Sequence, residues 1–500
     1  MKPTADASTR FDTLIRNVRL VRPTSDRIDT GDIGIRDGRI VAVGPELPGT
    51  GDVQVIEGRG RLAFPGLVDA HMHTGIYAPL AEDALSESRA AAQGGVTTSL
   101  NYFRSGRYYM NEGGPYAQLF PKVLAASNER FFVDYAYHLA PLDAAQIGEM
   151  EMLIERFGVT SFKIFMFYGG YGLHGASGSQ RDFLMIGEDE QYDIAHFEFV
   201  MRGAQRAMER FPHLRDAISV SLHCETAEIM NAYTKLVHAD PTLKGLKAYS
   251  AARPPHSEGL AIFIAAYLAH ETGCPNINLL HLSSRKAVEA ALMMAKVFPH
   301  VDFRREVTIG HLILDDESPA GAGAKVNPPI RSRADVEYLW SALLDGQLDW
   351  VCSDHACCRH EHKFPTEGVD DIWVAKSGFG GTEYLLAALI TEGKRRGLSL
   401  NRMAALTSLN PARRYGLSAK GDLSVGFDAD IVLVDDGRSQ IVRAADSLSH
   451  QGHTPFEGLE LSATVTTTLL RGRVIYDDGR VIGTPQGRYL HRPYDGVPAR

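Results

Sequence analysis

The sequence predicts an α/β protein: an eight-stranded (β/α)8 barrel of the TIM type with a small β-sandwich domain formed by both chain ends. Three observations lead there. Both ends are rich in short alternating strands and hairpin turns, and the middle alternates short apolar strand-like runs with helical patterns. Those runs number eight, at spacings that suit a barrel better than a doubly wound sheet. A chain of 500 residues is long enough for one large domain and a smaller one.

Residues 11–65 read as strands and turns: "FDTLIRNVRLV", "DIGIRDGRIVAVG" and "VQVIEGRGRLAFPG", with "RDGR" (36–39) as a hairpin turn. The C-terminal stretch repeats this texture in "GFDADIVLVDD" and "SATVTTTLLRGRVIYDDGRVIG". We therefore expect residues 1–65 and 416–500, the latter ending in a tail, to build one β-domain around a barrel at 66–415. The expected barrel strands are 67–73, 97–103, 131–138, 161–168, 218–224, 277–283, 301–308 and 348–355. Helix-like stretches such as "SEGLAIFIAAYLAHETG" and "SRKAVEAALMMAKVF" lie between them.

Composition narrows the function. A net charge of -9 argues against nucleic-acid or anionic-membrane partners. The longest apolar run, "LAIFIAAYLA" (260–269), is well short of the ~20 residues that span a bilayer. The N-terminus has no apolar signal-peptide core, and the five scattered cysteines suit a reducing compartment. A cytoplasmic protein is expected.

The fourth strand, in "GVTSFKIFMFY" (158–168), carries Lys163 among apolar residues. A lysine there either snorkels, pairs with an acid, or is kept neutral so that its amine does chemistry. The other strands decide between these. In "DAHMH", His71 and His73 are two apart and share a face at the end of the first strand. His223 ends the fifth strand, His281 the sixth and Asp354 the eighth. Catalytic groups of such barrels sit at the C-terminal strand ends. Four imidazoles, one amine and one carboxylate converging on that rim form a candidate metal site, and imidazole and carboxylate are usual zinc ligands. His355, His360 and His362 are read as supporting or solvent-facing residues. The vicinal pair Cys357–Cys358 lacks the spacing of a zinc knuckle.

At these residues the sequence resembles a known family. "FPGLVDAHMH", "GVTSFKIFMFY", "LHCE", "LLHLSS", "VNPPIR" and "DWVCSDH" are similar to motifs of the amidohydrolase superfamily, within it the dihydropyrimidinase/hydantoinase branch of cyclic amidohydrolases. "ARPPHSE", "SLNPARRYGL", "GDLSVGFDADIVLVD" and "HTPFEGLE" extend the similarity over nearly the whole chain. The resemblance implies two Zn2+ ions bridged by Lys163 as its carbamate (N6-carboxylysine). His71, His73 and Asp354 would hold one ion, His223 and His281 the other. It further implies a bridging hydroxide that attacks a ring amide, Asp354 as general base and acid, and Tyr168 as oxyanion donor. A homotetramer or homodimer acting on a small cyclic amide is expected.

Three departures bear on the substrate. The interval from Tyr168 to His223 is longer than in hydantoinase-like proteins and contains the Gly-rich "YGGYGLHGASGSQRD" (168–182). Ser377, in "AKSGFGGTE", stands where hydantoinases place an asparagine, and a hydroxyl does not reproduce an amide's donor and acceptor. Asn327, in "VNPP", falls where the family has a small polar residue at the ring. "HMHTG" lacks the arginine that dihydroorotases carry two residues after the second histidine. Dihydropyrimidine or hydantoin hydrolysis leads, with allantoinase or hydrolysis of another cyclic amide or imide as the alternative. "SFKIF" speaks against a mononuclear deaminase. The presence of all six ligand positions speaks against a non-catalytic dihydropyrimidinase-related interaction protein.

Overall fold

A computed structural model describes residues 10–49, 52–169, 184–364 and 371–496. Eight parallel strands form the barrel: β1 (Leu67–Met72), β2 (Val96–Arg104), β3 (Asp134–Ala140), β4 (Ser161–Phe165), β5 (Ser219–His223), β6 (Asn276–Leu279), β7 (Asp302–Thr308) and β8 (Trp350–Cys352). Each pairs with its neighbours in chain order. The ring closes where Met72 bridges His355 and the His73 N–H donates to the His355 carbonyl at 2.8 Å. Every expected strand core is present. Four shift in extent: β3 begins at Asp134, β6 ends at Leu279 and β8 spans only Trp350–Cys352, which leaves His281 and Asp354 just past their strands, and β4 ends at Phe165 because Met166–Gly169 turn as a 3-10 helix. That turn carries Phe167 and Tyr168 onto the rim.

The helices pack outside. Asp193, Ser284 and Ser332 cap helices Ile194–Arg210, Arg285–Val297 and Arg333–Leu344 by accepting N–H bonds in the first turn. Helix Pro255–Thr272 starts on proline and stops at Gly273, whose left-handed φ of 68° a Cβ would disfavour. Among the described residues no helix is long and apolar enough to cross a membrane.

Both chain ends join one nine-stranded sheet that includes Thr13–Val21, Ile28–Arg36, Leu62–Pro65, Ile431–Asp435 and Thr464–Leu470. Strand alternation explains how it sits on the barrel. Ala63, Ile431, Leu433 and Leu469 point into the sheet's own apolar cluster. Their neighbours Leu62, Phe64, Val432, Val434 and Leu470 point into the main core. The tail after Val481 returns to the barrel, where Tyr135 and Leu490 exchange backbone bonds with Arg488 and Tyr135. Leu490, Tyr494, Tyr415 and Leu417 cluster with Val68, Leu100, Ala136 and Trp350 of the strands. The site is built on this packed floor.

Candidate active site and metal centre

At the end of β1, His71 is fully buried and His73 half-buried. Their Nε2 atoms are 3.2 Å apart. Asp354, just past β8, places Oδ1 at 3.2 Å from His71 Nε2 and 3.4 Å from His73 Nε2. Two imidazoles and a carboxylate in such reach are a donor set for a divalent cation.

Glu306 of β7 sets the tautomer of His71, and sequence reasoning did not single it out. Its Oε1 meets His71 Nδ1 at 2.7 Å and accepts the His281 N–H at 3.1 Å, while Oε2 accepts the Trp350 indole N–H at 2.8 Å. A carboxylate already accepting two fixed N–H groups is an acceptor for a third. We therefore assign the His71 proton to Nδ1, which turns the Nε2 lone pair toward His73 and Asp354. Burial pushes the Glu306 carboxyl up, and the Trp350 and His281 donors oppose that.

The second group lies beside the first. His223 and His281 pack edge to face with ring centroids at 4.3 Å, and His281 is 5.4 Å from His71. His223 Nε2 is 2.6 Å from Glu225, whose carboxylate also takes two N–H groups of Arg253, leaving Nδ1 as the remaining nitrogen of the ring. His281 Nδ1 is buried and has no hydrogen-bond partner among the described residues. Such an atom costs free energy unless something takes its lone pair. His281 and Asp354 also hold positive φ values of 35° and 55°, local strain of the kind functional positions retain.

Lys163 lies at the centre of β4, in register with Ser221 of β5. Its Nζ is 3.3 Å from His71 Nε2 and sits over the Tyr102 and Phe165 rings, 4.0 and 4.5 Å from their centroids. Burial pulls its pKa down to about 8, although Asp354 and Glu306 pull the other way. Free amine is therefore available near neutrality. Burial also lowers all four imidazoles, which makes them the neutral ligands metals bind, and it pushes Asp354 up to about 7 against the pull of Lys163. Neutral nitrogens, an orphaned ring nitrogen and carboxyls short of positive charge fit a pair of divalent cations.

A small cavity of about 50 Å3 opens over these groups, lined by Tyr168, Asn327, Ser377 and Arg104 among others. Tyr168 Oη accepts the Arg104 Nε–H at 3.0 Å. Tyr249 donates its hydroxyl to Asn327 Oδ1 at 2.6 Å, and Tyr77 donates to the Ser377 carbonyl at 2.7 Å. The structure thus brings His71, His73, Lys163, Tyr168, His223, His281, Asn327, Asp354 and Ser377 to one rim. His355 is buried behind Asp354 with Nε2 at 2.8 Å from Glu87, and His360 is exposed. The Gly-rich stretch lies outside the described residues from Gly170 to Asp182.

Residues 261–475 match the amidohydrolase family. An allantoinase of Rubrobacter xylanophilus is 34% identical over 437 residues, covering 86% of this chain and 88% of its own length. The chain belongs to the amidohydrolase family. A second relative, an allantoinase of Escherichia coli O139:H28, is 30% identical over 435 residues, 84% of this chain and 85% of its own. Among solved structures, the dihydropyrimidinase from Brevibacillus agri superposes with a TM-score of 0.81 at 26% identity, covering 97% of this chain and 100% of that one. The L-hydantoinase from Arthrobacter aurescens reaches 0.82 at 26% identity, covering 96% and 100%. Within its family the chain falls with the cyclic amidohydrolases, as its strand-end motifs imply.

Proposed function

We propose that the chain hydrolyses a cyclic amide of the dihydropyrimidine or hydantoin type at a pair of divalent ions, with zinc the expected metal. The observation that carries this reading is the convergence of four neutral imidazoles, Asp354 and a desolvated Lys163 at one end of the barrel. His71, His73 and Asp354 would hold one ion and His223 and His281 the other. The Lys163 amine would add to CO2, forming an N–C bond and losing a proton to solvent, and the resulting carbamate would serve as an anionic ligand shared by both groups. When bound, the two ions acidify a water and polarise the ring carbonyl.

The remaining work belongs to the chain's own side chains. Asp354 takes the proton of the attacking water and returns it to the leaving ring nitrogen. Tyr168, held by Arg104, donates its hydroxyl to the carbonyl oxygen as that oxygen gains charge. Asn327 and Ser377 form the wall that meets the polar edge of the ring.

A second reading is allantoin, itself a substituted hydantoin. The 34% and 30% identical allantoinases favour it. Exposed apolar side chains on three outer helices, Tyr233 and Leu236, Leu260 and Tyr267, Met293 and Val297, support a homodimer or homotetramer, which light scattering checks. The functional test is ring opening by the metal-loaded chain on dihydrouracil, hydantoin, a 5-aryl hydantoin, allantoin and dihydroorotate. Turnover of one ring, absent in Lys163→Ala, supports the reading and selects the substrate class. Metal loading with no turnover of any ring refutes it.

A further inference from the structure

The substrate wall at Ser377 and Gly378 belongs to a segment, 371–384, that contains no helix or strand, so its carbonyls need partners from elsewhere. Two buried lysines supply partners for four of them, at Trp373, Ala375, Lys376 and Gly378. Lys363, 0% exposed, spends all three ammonium hydrogens on carbonyls: Lys325 at 2.9 Å, Lys376 at 2.8 Å and Gly378 at 2.7 Å. Lys325 Nζ donates to the Ala375 carbonyl at 2.7 Å and to that of Trp373 at 3.4 Å. The Gly378 N–H closes the arrangement by donating to the Lys325 carbonyl at 2.9 Å. Two residues on from Lys325 is Asn327, the opposite side of the same wall.

We propose that Lys363, with Lys325 behind it, is a positioning residue that fixes the Asn327 and Ser377–Gly378 wall and thereby sets which ring the cavity accepts. The argument is electrostatic. No carboxylate lies within ion-pair distance of Lys363 among the described residues. Among the described residues its ammonium is met by three carbonyl dipoles, and those belong to the two segments that face the ring. Charge-assisted bonds of this kind are roughly twice as strong as neutral ones. Their removal leaves buried carbonyls without donors and releases the segments from each other. Lys363 touches neither the ligand-type side chains nor the reacting atoms, so its effect must run through the wall.

This inference rests on the ring-opening reading, and its test separates the two. Lys363→Met and Lys363→Gln are prepared as the full, metal-loaded chain. Steady-state kinetics is measured on the ring that wild type opens, with hydrogen exchange followed through residues 373–380. Loss of the clamp predicts KM raised about tenfold or more, kcat changed far less, metal content unchanged, and faster exchange confined to that segment. Lys363→Gln, which keeps two donors, falls between and serves if the methionine variant does not fold. A KM within about twofold of wild type, or unchanged exchange in 373–380, overturns the proposal. Should wild type open none of the rings, the ring-opening reading fails, and exchange alone then supports or overturns the clamp.

Discussion

At the N-terminal end of the barrel, Asp134 of β3 meets Asp428 and Asp430 in a buried group of three carboxylates. At the C-terminal end, Asp354 and Glu306 meet four imidazoles and Lys163. Each of these two clusters contains one buried lysine, and the two behave oppositely. Lys420 Nζ lies 2.7, 2.9 and 2.7 Å from Asp134, Asp428 and Asp430, and Arg471 also pairs with Asp134. Burial would lower its pKa, but the three carboxylates raise it above the ordinary lysine value. Lys163 has aromatic faces for neighbours, and burial prevails, bringing it to about 8. The difference is one of charge supply. The lower cluster is completed by the chain's own cations and is structural. The upper one has donors in excess of protein cations and calls for charge from outside.

The comparison can be broken at either end. The largest effect is expected from Asp354→Asn, which would remove both the proposed ligand and the proposed proton carrier: kcat should fall by about 10²–10⁴-fold while the urea midpoint of the metal-free chain barely moves. Lys420→Met should do the reverse. It strands buried carboxylates and should cost about 3–5 kcal/mol in urea unfolding, with metal per folded chain unchanged. If Lys420→Met lost metal in proportion to stability, the two ends would not be independent.

Glu306→Gln sharpens the upper half of the comparison. Losing the acceptor that holds the His71 tautomer should weaken metal affinity by about 10–100-fold, read by competition with a chelator. The smallest effect concerns pH. Because the folded-state pKa of Lys420 is raised, its contribution is fully present below the unfolded value of about 10.4 and is lost as pH rises through the folded one. Wild-type stability should therefore decline from about pH 10.4 upward by up to about 1.4 kcal/mol per unit, a component that Lys420→Met lacks in urea titrations that extend above that unfolded value.

Much of the barrel was legible in the sequence because buried parallel strands announce themselves as short apolar runs, and ligand-type residues at their ends stand out by position. His71, His73, Lys163, His223, His281 and Asp354 were visible for that reason. Glu306 was not. In "DFRREVT" it follows Arg304 and Arg305 and reads as one more charge of a solvated edge, and only its contacts with His71, His281 and Trp350 reveal its role. The Asp134–Lys420 cluster joins residues 286 positions apart, and the Lys363 clamp acts on main-chain carbonyls, which carry no sequence signal. The fourth strand was read too long because apolarity continues through Phe167, although the chain has already turned.

The proposed reaction of Lys163 with CO2 would join the two ligand groups into one metal centre. Metal stoichiometry tests it most directly, with wild type and Lys163→Ala loaded side by side in bicarbonate and in CO2-free buffer. Wild type should bind about two divalent ions per chain in bicarbonate and fewer without CO2, and the variant should lose the paired site in either buffer. Equal stoichiometry in wild type and Lys163→Ala, indifferent to bicarbonate, would contradict it.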